Sequence, residues 1–139
     1  MFRGRILMEL IVNPKLNRND ILRLYQKCGL ELNVSGLEHL RKGLKKSYVL
    51  AAYEEGRLIG LVRALSDYAT LVYVKDLLIL PEYQNQRVAK NLMQHLLDYF
   101  GTVEQVVVAI KNDNGSLDEF LRYLNFRESD AKVYLIDRR

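Results

Sequence analysis

The first part of the chain begins with an apolar stretch and continues with helical periodicity. Ile6–Val12 is apolar and ends before an Asn-Pro pair, so it predicts a first strand. The next apolar positions recur at i, i+3, i+4 and i+7, which is typical of an amphipathic helix: Ile21, Leu24, Tyr25 and Cys28. This helix is expected to begin at Asn17 or Asn19 and to end at Gly29.

A second helix is predicted directly after the first. Ser35 and Glu38 have the spacing of a capping box, which favours a helix start at the serine. An apolar stripe continues this helix to about Lys46, through Leu37, Leu40 and Leu44.

The rest of the chain alternates apolar runs with two further helical patterns. The runs predict strands at Tyr48–Tyr53, Leu58–Leu65, Thr70–Leu80, Val103–Ile110 and Lys132–Asp137, the fourth of them fully buried. The helical patterns run from Val88 to Phe100 and from Leu117 to Leu124. A turn at Glu54–Arg57 makes a hairpin of the first two of these strands.

The resulting order is β-α-α-β-β-β-α-β-α-β, which predicts an α/β (α+β) fold with a mixed sheet. The long helix Val88–Phe100 connects two predicted strands, Thr70–Leu80 and Val103–Ile110. A crossover through a helix places the strands that it joins parallel to each other. The sheet is therefore expected to combine antiparallel hairpins with one parallel pair.

Composition excludes several classes of protein. The 139 residues, 49% of them hydrophobic and 27% charged, predict one globular domain over residues 1–139. Cys28 is the single cysteine, which excludes a disulfide-framed secreted module. No apolar run approaches the roughly 18 residues of a membrane span, and Met1–Glu9 lacks the apolar core of a signal peptide. A cytoplasmic location without membrane contact is expected.

A local basic cluster accompanies the net charge of +4. The cluster consists of Arg41, Lys42, Lys45 and Lys46. Its position at the predicted end of a helix suits cations that complement the helix dipole. The alternative is a phosphate or nucleic-acid patch, and no aromatic residues interleave with the cluster to support nucleic-acid binding. We therefore expect no nucleic-acid partner.

The segment between the long strand and the long helix carries the strongest chemical signal. Pro81 ends the strand because its ring fixes φ and it has no N–H to donate. Polar residues then lead directly into the helix, whose first turn exposes backbone N–H groups at the positive end of its dipole. Such a strand–loop–helix is suited to binding a pyrophosphate.

The run Asp76–Ala89 resembles the acetyl-CoA motif of the GNAT superfamily of N-acetyltransferases, Gln/Arg-x-x-Gly-x-Gly/Ala after a strand that ends in a proline. Gln84 and Ala89 match the motif, and Arg87 stands where its first glycine is expected. The hairpin around Gly56 and the run Asn114 to Phe126, which includes Phe120, resemble other parts of the family. The resemblance implies a GNAT-like mixed sheet in which a parallel strand pair splays apart at the cofactor site.

The resemblance also implies a set of cofactor-binding residues. Acetyl-CoA would serve as acetyl donor without a metal, its pantetheine arm pairing with the end of the long strand at Leu78, Ile79 and Leu80. Its diphosphate would contact the opening turn of the long helix, at Gln84, Asn85, Gln86, Arg87, Val88, Ala89 and Lys90. Asn114 matches a position whose side chain reaches the cofactor, and a plain helix cap is the alternative.

Two positions depart from the family pattern. Glycine matters at this position if φ is positive there or if the phosphates come very close. If Arg87 already lies within the helix, its φ is negative, the arginine costs little, and its guanidinium can bind phosphate. We expect the cofactor to bind despite this departure. Leu121 occupies the place of the tyrosine that often protonates the departing thiolate in this family. Tyr123 is the candidate acid, although two residues correspond to a rotation of about 200° around a helix. Another tyrosine or solvent is the alternative.

Asp76 is the candidate base or the site that binds the substrate ammonium. Its carboxylate lies in an otherwise apolar strand, one step before the predicted cofactor-binding end. A salt bridge to Lys75 or Arg63 is the alternative. Asp67, in the turn before this strand, is a weaker candidate for lining the acceptor pocket.

The remaining reactive side chains are given structural roles. His39 and His95 fall on the helical patterns away from the strand end and are expected at the surface or in packing. Cys28 lies on an apolar helix stripe and is expected in the core, which argues against a cysteine acyl-enzyme.

These residues predict an acetyl-CoA-dependent N-acetyltransferase that acts directly on a primary amine in a ternary complex. The acceptor is a small-molecule amine or a peptide amine, and the sequence does not identify it. The alternative is a CoA-binding GNAT-like module with weak or no catalysis. The oligomeric state stays open, although the family often forms dimers.

Overall fold

The computed structural model describes residues 8–84, 87–110 and 115–139. Its strands are β1 (Met8–Val12), β2 (Tyr48–Glu54), β3 (Arg57–Ser66), β4 (Leu71–Ile79) and β5 (Gln105–Val108). Its helices are α1 (Arg18–Lys27), α2 (Val34–Lys45), α3 (Val88–Tyr99) and α4 (Ser116–Tyr123), with one 3-10 turn at Pro81–Tyr83. The order of these elements agrees with the sequence prediction from β1 to α4.

The strands form one sheet in the order β1-β2-β3-β4-β5. Neighbouring strands are antiparallel except for β4 and β5, which are parallel with Leu71 opposite Gln105 and Val74 opposite Val108. The predicted crossover through the long helix is therefore confirmed. Because parallel pairing ends at Val74, no described strand lies against the outer edge of the last part of β4.

A β-bulge interrupts β4 where this open edge begins. Asp76 is opposite Arg63, whereas Val74 is opposite the next residue of β3, Ala64. Lys75 is therefore an extra residue, and side chains on either side of it exchange faces of the sheet. Asp76 shares a face with Arg63, and Val74 lies on the opposite face.

Helices cover both faces of the sheet. On the face of Arg63 lie α1, whose Tyr25 hydroxyl reaches Asp76, and α2, whose Gly43 lies beside the guanidinium. On the opposite face, α3 contacts β2, β3 and β4, and Val88 lies close to Gly60. The core consists of large apolar side chains that have no exposed surface, among them Leu24, Leu58, Ile59, Leu61, Leu80, Leu92 and Leu96.

The starts of the first two helices show which capping signals were interpreted correctly. Asn17 caps α1, as predicted, because its side chain accepts hydrogen bonds from the N–H groups of Asn19 (2.7 Å) and Asp20 (3.2 Å). The cap of α2 is Asn33, which accepts from Gly36 N at 2.7 Å. The expected start at Ser35 was wrong because the asparagine two residues earlier already satisfies the first turn.

Two strand predictions also differ from the structure. The strand predicted at Val103–Ile110 is shorter, and Val107 is 41% exposed, because β5 is paired along one edge and is not fully buried. No strand forms at Lys132–Asp137 in the described part of the chain, where Val133, Tyr134, Leu135 and Ile136 are all exposed. An apolar run of β-branched residues forms a strand only when a neighbouring strand can pair with it through backbone hydrogen bonds.

The chain divides into two compact units, Met1–Val108 and Ala109–Arg139. The first contains the sheet with α1, α2 and α3. The second contains α4, which ends in hydrogen bonds from Leu124 N to Phe120 O (3.2 Å) and from Phe126 N to Leu121 O (3.0 Å). In the described ranges no helix is long and apolar enough to cross a membrane.

Candidate functional site

The end of β4 presents backbone groups on its open edge. Leu80 donates its N–H to Ile59 O of β3 at 2.9 Å. Alternate residues of a strand direct their backbone groups to opposite edges. The N–H and C=O of Ile79 therefore face away from β3, toward the edge that no described strand occupies.

A close approach of β3 to β4 supports this strand end. A Cβ atom at Gly60 would lie 2.9 Å from both Leu78 O and Ile79 Cδ1, and 3.4 Å from Val88 Cγ1. A side chain would therefore push β3 away from β4 and from the start of α3. The glycine keeps the strand end and the helix start in fixed positions.

The turn after β4 is short and ordered by its own hydrogen bonds. Tyr83 N donates to Leu80 O at 2.9 Å, and Gln84 N donates to Pro81 O at 3.3 Å. The side-chain amide of Gln84 reaches back and donates to Ile79 O at 3.3 Å. Gln84 thus joins the turn to the strand end. Asn85 and Gln86, which the sequence also assigned to this turn, lie outside the described residues.

Arg87 adopts a left-handed conformation, with φ of 63° and ψ of 12°. Of the two alternatives that the sequence left open, the positive φ is the one observed: Arg87 is the N-cap residue, and the turn there needs the conformation that glycine supplies most easily. A left-handed conformation costs a non-glycine residue about 1–2 kcal/mol. The glycine of the family motif therefore has a conformational reason at this position, and the arginine pays for it in strain.

The first turn of α3 is electropositive. Its first intrahelical hydrogen bond runs from Asn91 N to Arg87 O (3.0 Å). The side chain of Arg87 does not cap the helix, and the first turn contains no acidic residue. Earlier amides of a helix have no intrahelical acceptor. With Arg87 and Lys90 beside them, these amides of Val88 and Ala89 suit an anionic ligand.

Asp76 is held in a network of hydrogen bonds and charges. The Tyr25 hydroxyl donates to Asp76 Oδ2 at 2.9 Å, Arg63 Nη1 lies 3.5 Å from the same oxygen, and Lys75 Nζ lies 3.8 Å from Oδ1. Side-chain exposure is 12% for Asp76 and 15% for Arg63, so the pair is largely withdrawn from water. The salt bridge that the sequence offered as the alternative, to Lys75 or Arg63, is present with both residues. The catalytic role of Asp76 stays a prediction.

Tyr25 is a hydrogen-bond donor and not a ready acid. Burial of its ring, and then the carboxylate of Asp76, hold the pKa of Tyr25 far above the usual value of 10.0. It therefore stays protonated at neutral pH and fixes the orientation of Asp76. Sequence reasoning counted Tyr25 only as a core residue, since nothing in the helical pattern shows that its hydroxyl would meet Asp76.

Cys28 is a second residue whose place the sequence did not reveal. It is half-buried at the end of α1, and its thiol donates to Ile79 O at 3.3 Å. Burial raises the pKa of the thiol, against the smaller opposing effect of this hydrogen bond. Cys28 is therefore a protonated thiol at neutral pH and lies beside the strand end, in contact with the atom that Gln84 also contacts.

Other candidates lie elsewhere. Asp67 accepts hydrogen bonds from the Thr70 hydroxyl and from the N–H groups of Ala69 (2.9 Å) and Thr70 (2.8 Å). The bond from the hydroxyl lowers the pKa of Asp67 most, and the bonds from the N–H groups lower it further. Asp67 directly follows Ser66, the last residue of β3, which is opposite Val72 of β4. Val72 is seven residues, or about 23 Å of strand, from Ile79. Asp67 therefore stabilises its own turn, and its place beside the acceptor stays a prediction.

Comparison with known proteins places this geometry in a family. The family model described as "Acetyltransferase (GNAT) family" matches residues 18–126. The chain belongs to the GNAT acetyltransferase family. The match contains α1 to α4 and the segment that joins β4 to α3, so the resemblance stated from the sequence is confirmed.

Individual relatives agree with this assignment. The probable acetyltransferase TAP2 of Glycine max is 36% identical over 90 residues, which make up 56% of this chain and 36% of TAP2. The chain spans about a third of the length of the curated relatives that it matches. The GNAT family protein SP0256 of Streptococcus pneumoniae superposes with a TM-score of 0.81 at 26% identity, covering 96% of this chain and 100% of that one.

A structure with bound CoA shares the fold. The aminoglycoside N-acetyltransferase AAC(6')-Iy in complex with CoA has a TM-score of 0.75 at 13% identity, over 100% of both chains. At this identity the likeness concerns the fold alone. The GNAT-like architecture expected from the sequence, a mixed sheet with a parallel pair that separates, is confirmed.

Two features of this GNAT domain lie outside the geometry given above. Asn114 is not among the described residues. Tyr123 is 64% exposed on α4, which belongs to the second compact unit, and its role as acid stays a prediction. No cluster of His, Cys, Asp and Glu that could hold a metal ion occurs in residues 8–84, 87–110 or 115–139.

Proposed function

We propose that this GNAT domain is an acetyl-CoA-dependent N-acetyltransferase that moves the acetyl group directly to a primary amine. The observation that carries the proposal is the juxtaposition of the open β4 edge at Ile79 with the electropositive start of α3, which the side chain of Arg87 does not cap. An extended amide-containing arm can pair with such an edge as an added strand. The helix start, one short turn away, suits the diphosphate of the same molecule.

The cofactor would contact backbone more than side chains. Leu78, Ile79 and Leu80 would bind the pantetheine arm, and the turn from Gln84 to Lys90, Asn85 and Gln86 included, would bind the diphosphate. Ile79 O already accepts from Gln84 and Cys28, so its contacts would rearrange when an amide of the arm pairs with the strand. Arg87 is exposed and its side chain does not cap α3, which leaves its guanidinium available for phosphate.

The reaction needs a neutral amine, a polarised thioester carbonyl and a proton donor for the thiolate. The amine nitrogen forms a bond to the acetyl carbon, the carbon–sulfur bond breaks, the amine loses a proton and the thiolate gains one. The N–H of Ile79 would polarise the carbonyl oxygen. Asp76 would receive the amine proton or bind the ammonium group, and Tyr123, another tyrosine or solvent would protonate the thiolate.

A CoA-binding module with weak catalysis is the second candidate. Two observations favour it: Leu121 occupies the position of the family's usual acid, and the carboxylate of Asp76 is already engaged by Tyr25 and Arg63. This candidate predicts cofactor affinity without turnover. In this case the functional state of the protein would be its complex with CoA alone, without an amine acceptor.

A matched pair of variants at Ile79 tests the proposal. Ile79→Pro and Ile79→Ala both remove the side chain, but only proline removes the N–H, which faces the open edge and not β3. With acetyl-CoA and a panel of primary amines, we expect the alanine variant to retain most of kcat and the proline variant to lose about 100-fold, as when an oxyanion donor is lost.

Calorimetry with acetyl-CoA and far-UV circular dichroism accompany the kinetics. Binding without turnover for any amine would favour the module, and absence of binding to the folded wild type would overturn both candidates. Equal turnover by the two Ile79 variants would show that this N–H does not polarise the carbonyl.

A further inference from the structure

A cavity of about 390 Å³ lies at the β1 side of the sheet, away from the end of β4. It is formed where the β1–α1 loop, α2 and the start of β2 meet. Its rim is polar and carries three cations, Lys15, Arg41 and Lys45, and its floor is apolar. Val49, in the cavity floor, is opposite Arg63, which is opposite Asp76, so two strand spacings, about 10 Å, separate the floor from β4. The volume is within the usual range for small-molecule sites.

The charged groups of this cavity have one sign. Lys15, Arg41 and Lys45 line it, and no carboxylate of the described residues does. Lys15 and Lys45 form no ion pair with a described residue, and the contact of Arg41 with Glu38 (3.4 Å) joins two partly exposed side chains. Exposed pairs of this kind contribute little and are readily exchanged for another anion. A protonated amine would be repelled here, so the cavity does not suit the acetyl acceptor.

Of the two neutral polar side chains, Asn13 adds hydrogen-bond donors to the cavity and Ser47 does not. Asn13 Oδ1 accepts from Val49 N at 2.8 Å, which fixes the orientation of the amide and leaves its NH2 group for another acceptor. Asn13 is held in this position by its left-handed backbone, with φ of 48°, and by a second bond from Asn13 N to Val49 O at 2.6 Å. Ser47 Oγ donates to Gly43 O at 2.8 Å, so its oxygen can only accept a further bond.

The floor is apolar and already packed. Ile21, Leu44 and Val49 are buried, and Leu16 is half-buried beside them. A ligand that meets this floor and the cationic rim needs an apolar body and an anionic head. Helix-dipole complementarity accounts for a cation such as Lys45 at the end of α2. It does not account for Lys15, which approaches the same cavity from the β1–α1 loop.

We propose that this cavity is a second ligand site, for a small organic molecule that carries an oxyanion, carboxylate or phosphate, on an apolar body. The site is independent of the acetyl-CoA site and of the proposed acetyl transfer. It combines cations from two elements with an oriented amide over an apolar floor.

Phenyl phosphate and benzoate are suitable probes, with inorganic phosphate as the head alone and benzamide as the neutral body. Binding to the full chain is followed by calorimetry and by amide chemical shifts. We expect phenyl phosphate or benzoate to shift the Asn13 side-chain NH2 and the Val49 N–H, and to bind at least tenfold more tightly than either control. The preference between the two probes distinguishes phosphate from carboxylate.

The variant Lys15→Gln/Lys45→Gln removes two cations of the cavity, whereas Lys42→Gln/Lys46→Gln removes two neighbouring cations that do not line it. We expect the first variant to weaken the preferred probe at least tenfold and the second to change it less than twofold. Equal weakening by both variants, or displacement of the probe by one equivalent of CoA, would overturn the proposal. Shifts confined to β4 and α3, or no binding of either aromatic probe, would overturn it as well.

Discussion

The left-handed Arg87 allows a direct test of why the family motif contains glycine at this position. In the variant Arg87→Gly the backbone keeps φ near 63° without steric cost. Relief of the left-handed strain contributes about 1–2 kcal/mol. Glycine also increases the conformational entropy of the unfolded chain, which lowers the free energy of unfolding by about 0.4–1 kcal/mol. The free energy of unfolding is therefore expected to rise by about 0.5–1 kcal/mol, which corresponds to an increase in Tm of about 2–4 °C.

The variant Arg87→Ala is the matched control. It removes the same guanidinium but keeps a Cβ atom in the left-handed conformation, so its Tm should not rise. Both variants lose the charge-assisted hydrogen bond that the guanidinium is proposed to give the diphosphate, which contributes about 1.5–3 kcal/mol. Both should therefore bind acetyl-CoA at least tenfold more weakly than the wild type.

Urea unfolding, thermal melts and calorimetry with acetyl-CoA separate the two effects. An unchanged or lower Tm in Arg87→Gly would refute the strain argument. A wild type that does not bind acetyl-CoA, together with a glycine variant that does, would show that the arginine blocks the phosphates and that the motif requires glycine for access. If Arg87→Gly, but not Arg87→Ala, bound acetyl-CoA more tightly than the wild type, the arginine would hinder access of the phosphates without blocking it.

Three further predictions follow from neighbouring contacts. Asp76→Asn leaves Arg63 without its nearest counter-charge in a largely buried pair, so urea unfolding should show that the free energy of unfolding falls by about 1–3 kcal/mol. A kcat that falls tenfold with unchanged acetyl-CoA affinity would support the role of Asp76 as proton acceptor, and an unchanged kcat would exclude that role. Alkylation of Cys28 by iodoacetamide should be slow at pH 7 and accelerate only above pH 9, because burial raises the thiol pKa above its ordinary 9.0 and only the thiolate reacts. Acetyl-CoA should slow it further, and fast alkylation at pH 7 would contradict the burial argument. Gly60→Ala should destabilise the fold by about 1–3 kcal/mol, since its Cβ would lie 2.9 Å from a backbone carbonyl of β4. Gly43→Ala is the control: its Cβ would meet only ordinary contacts 3.6 Å away, so its stability should be equal or higher.

Local signals were sufficient for much of the fold. The Asn17 cap, the turn with Glu55 and Gly56 at positive φ, and the proline that ends β4 all depend on residues close in sequence. Hydrophobic periodicity placed α1, α2 and α3 to within a few residues. Parallel pairing of β4 and β5 followed from the crossover rule, which concerns chain connectivity and not particular side chains.

Features that depend on distant contacts could not be predicted. The hydroxyl of Tyr25 and the carboxylate of Asp76 are 51 residues apart, and so are Cys28 and Ile79. Their meeting requires the register of α1 on β4, which periodicity does not specify. The family motif raised a positive φ at Arg87 as one of two alternatives, and the sequence could not decide between them because a residue's φ depends on the turn around it.

The bulge at Lys75 makes the length of β4 as important as its composition. Because side chains alternate, removing or adding one residue between the bulge and Pro81 would exchange inside for outside over the whole strand end. If Ile79 keeps its pairing with β3, the carboxylate of Asp76 would leave Arg63 and Tyr25 for the apolar side under α3. If Asp76 keeps its pairing, Ile79 would present its N–H to β3. Evolution can thus vary the side chains here one at a time, while a single-codon deletion would abolish the arrangement in one step.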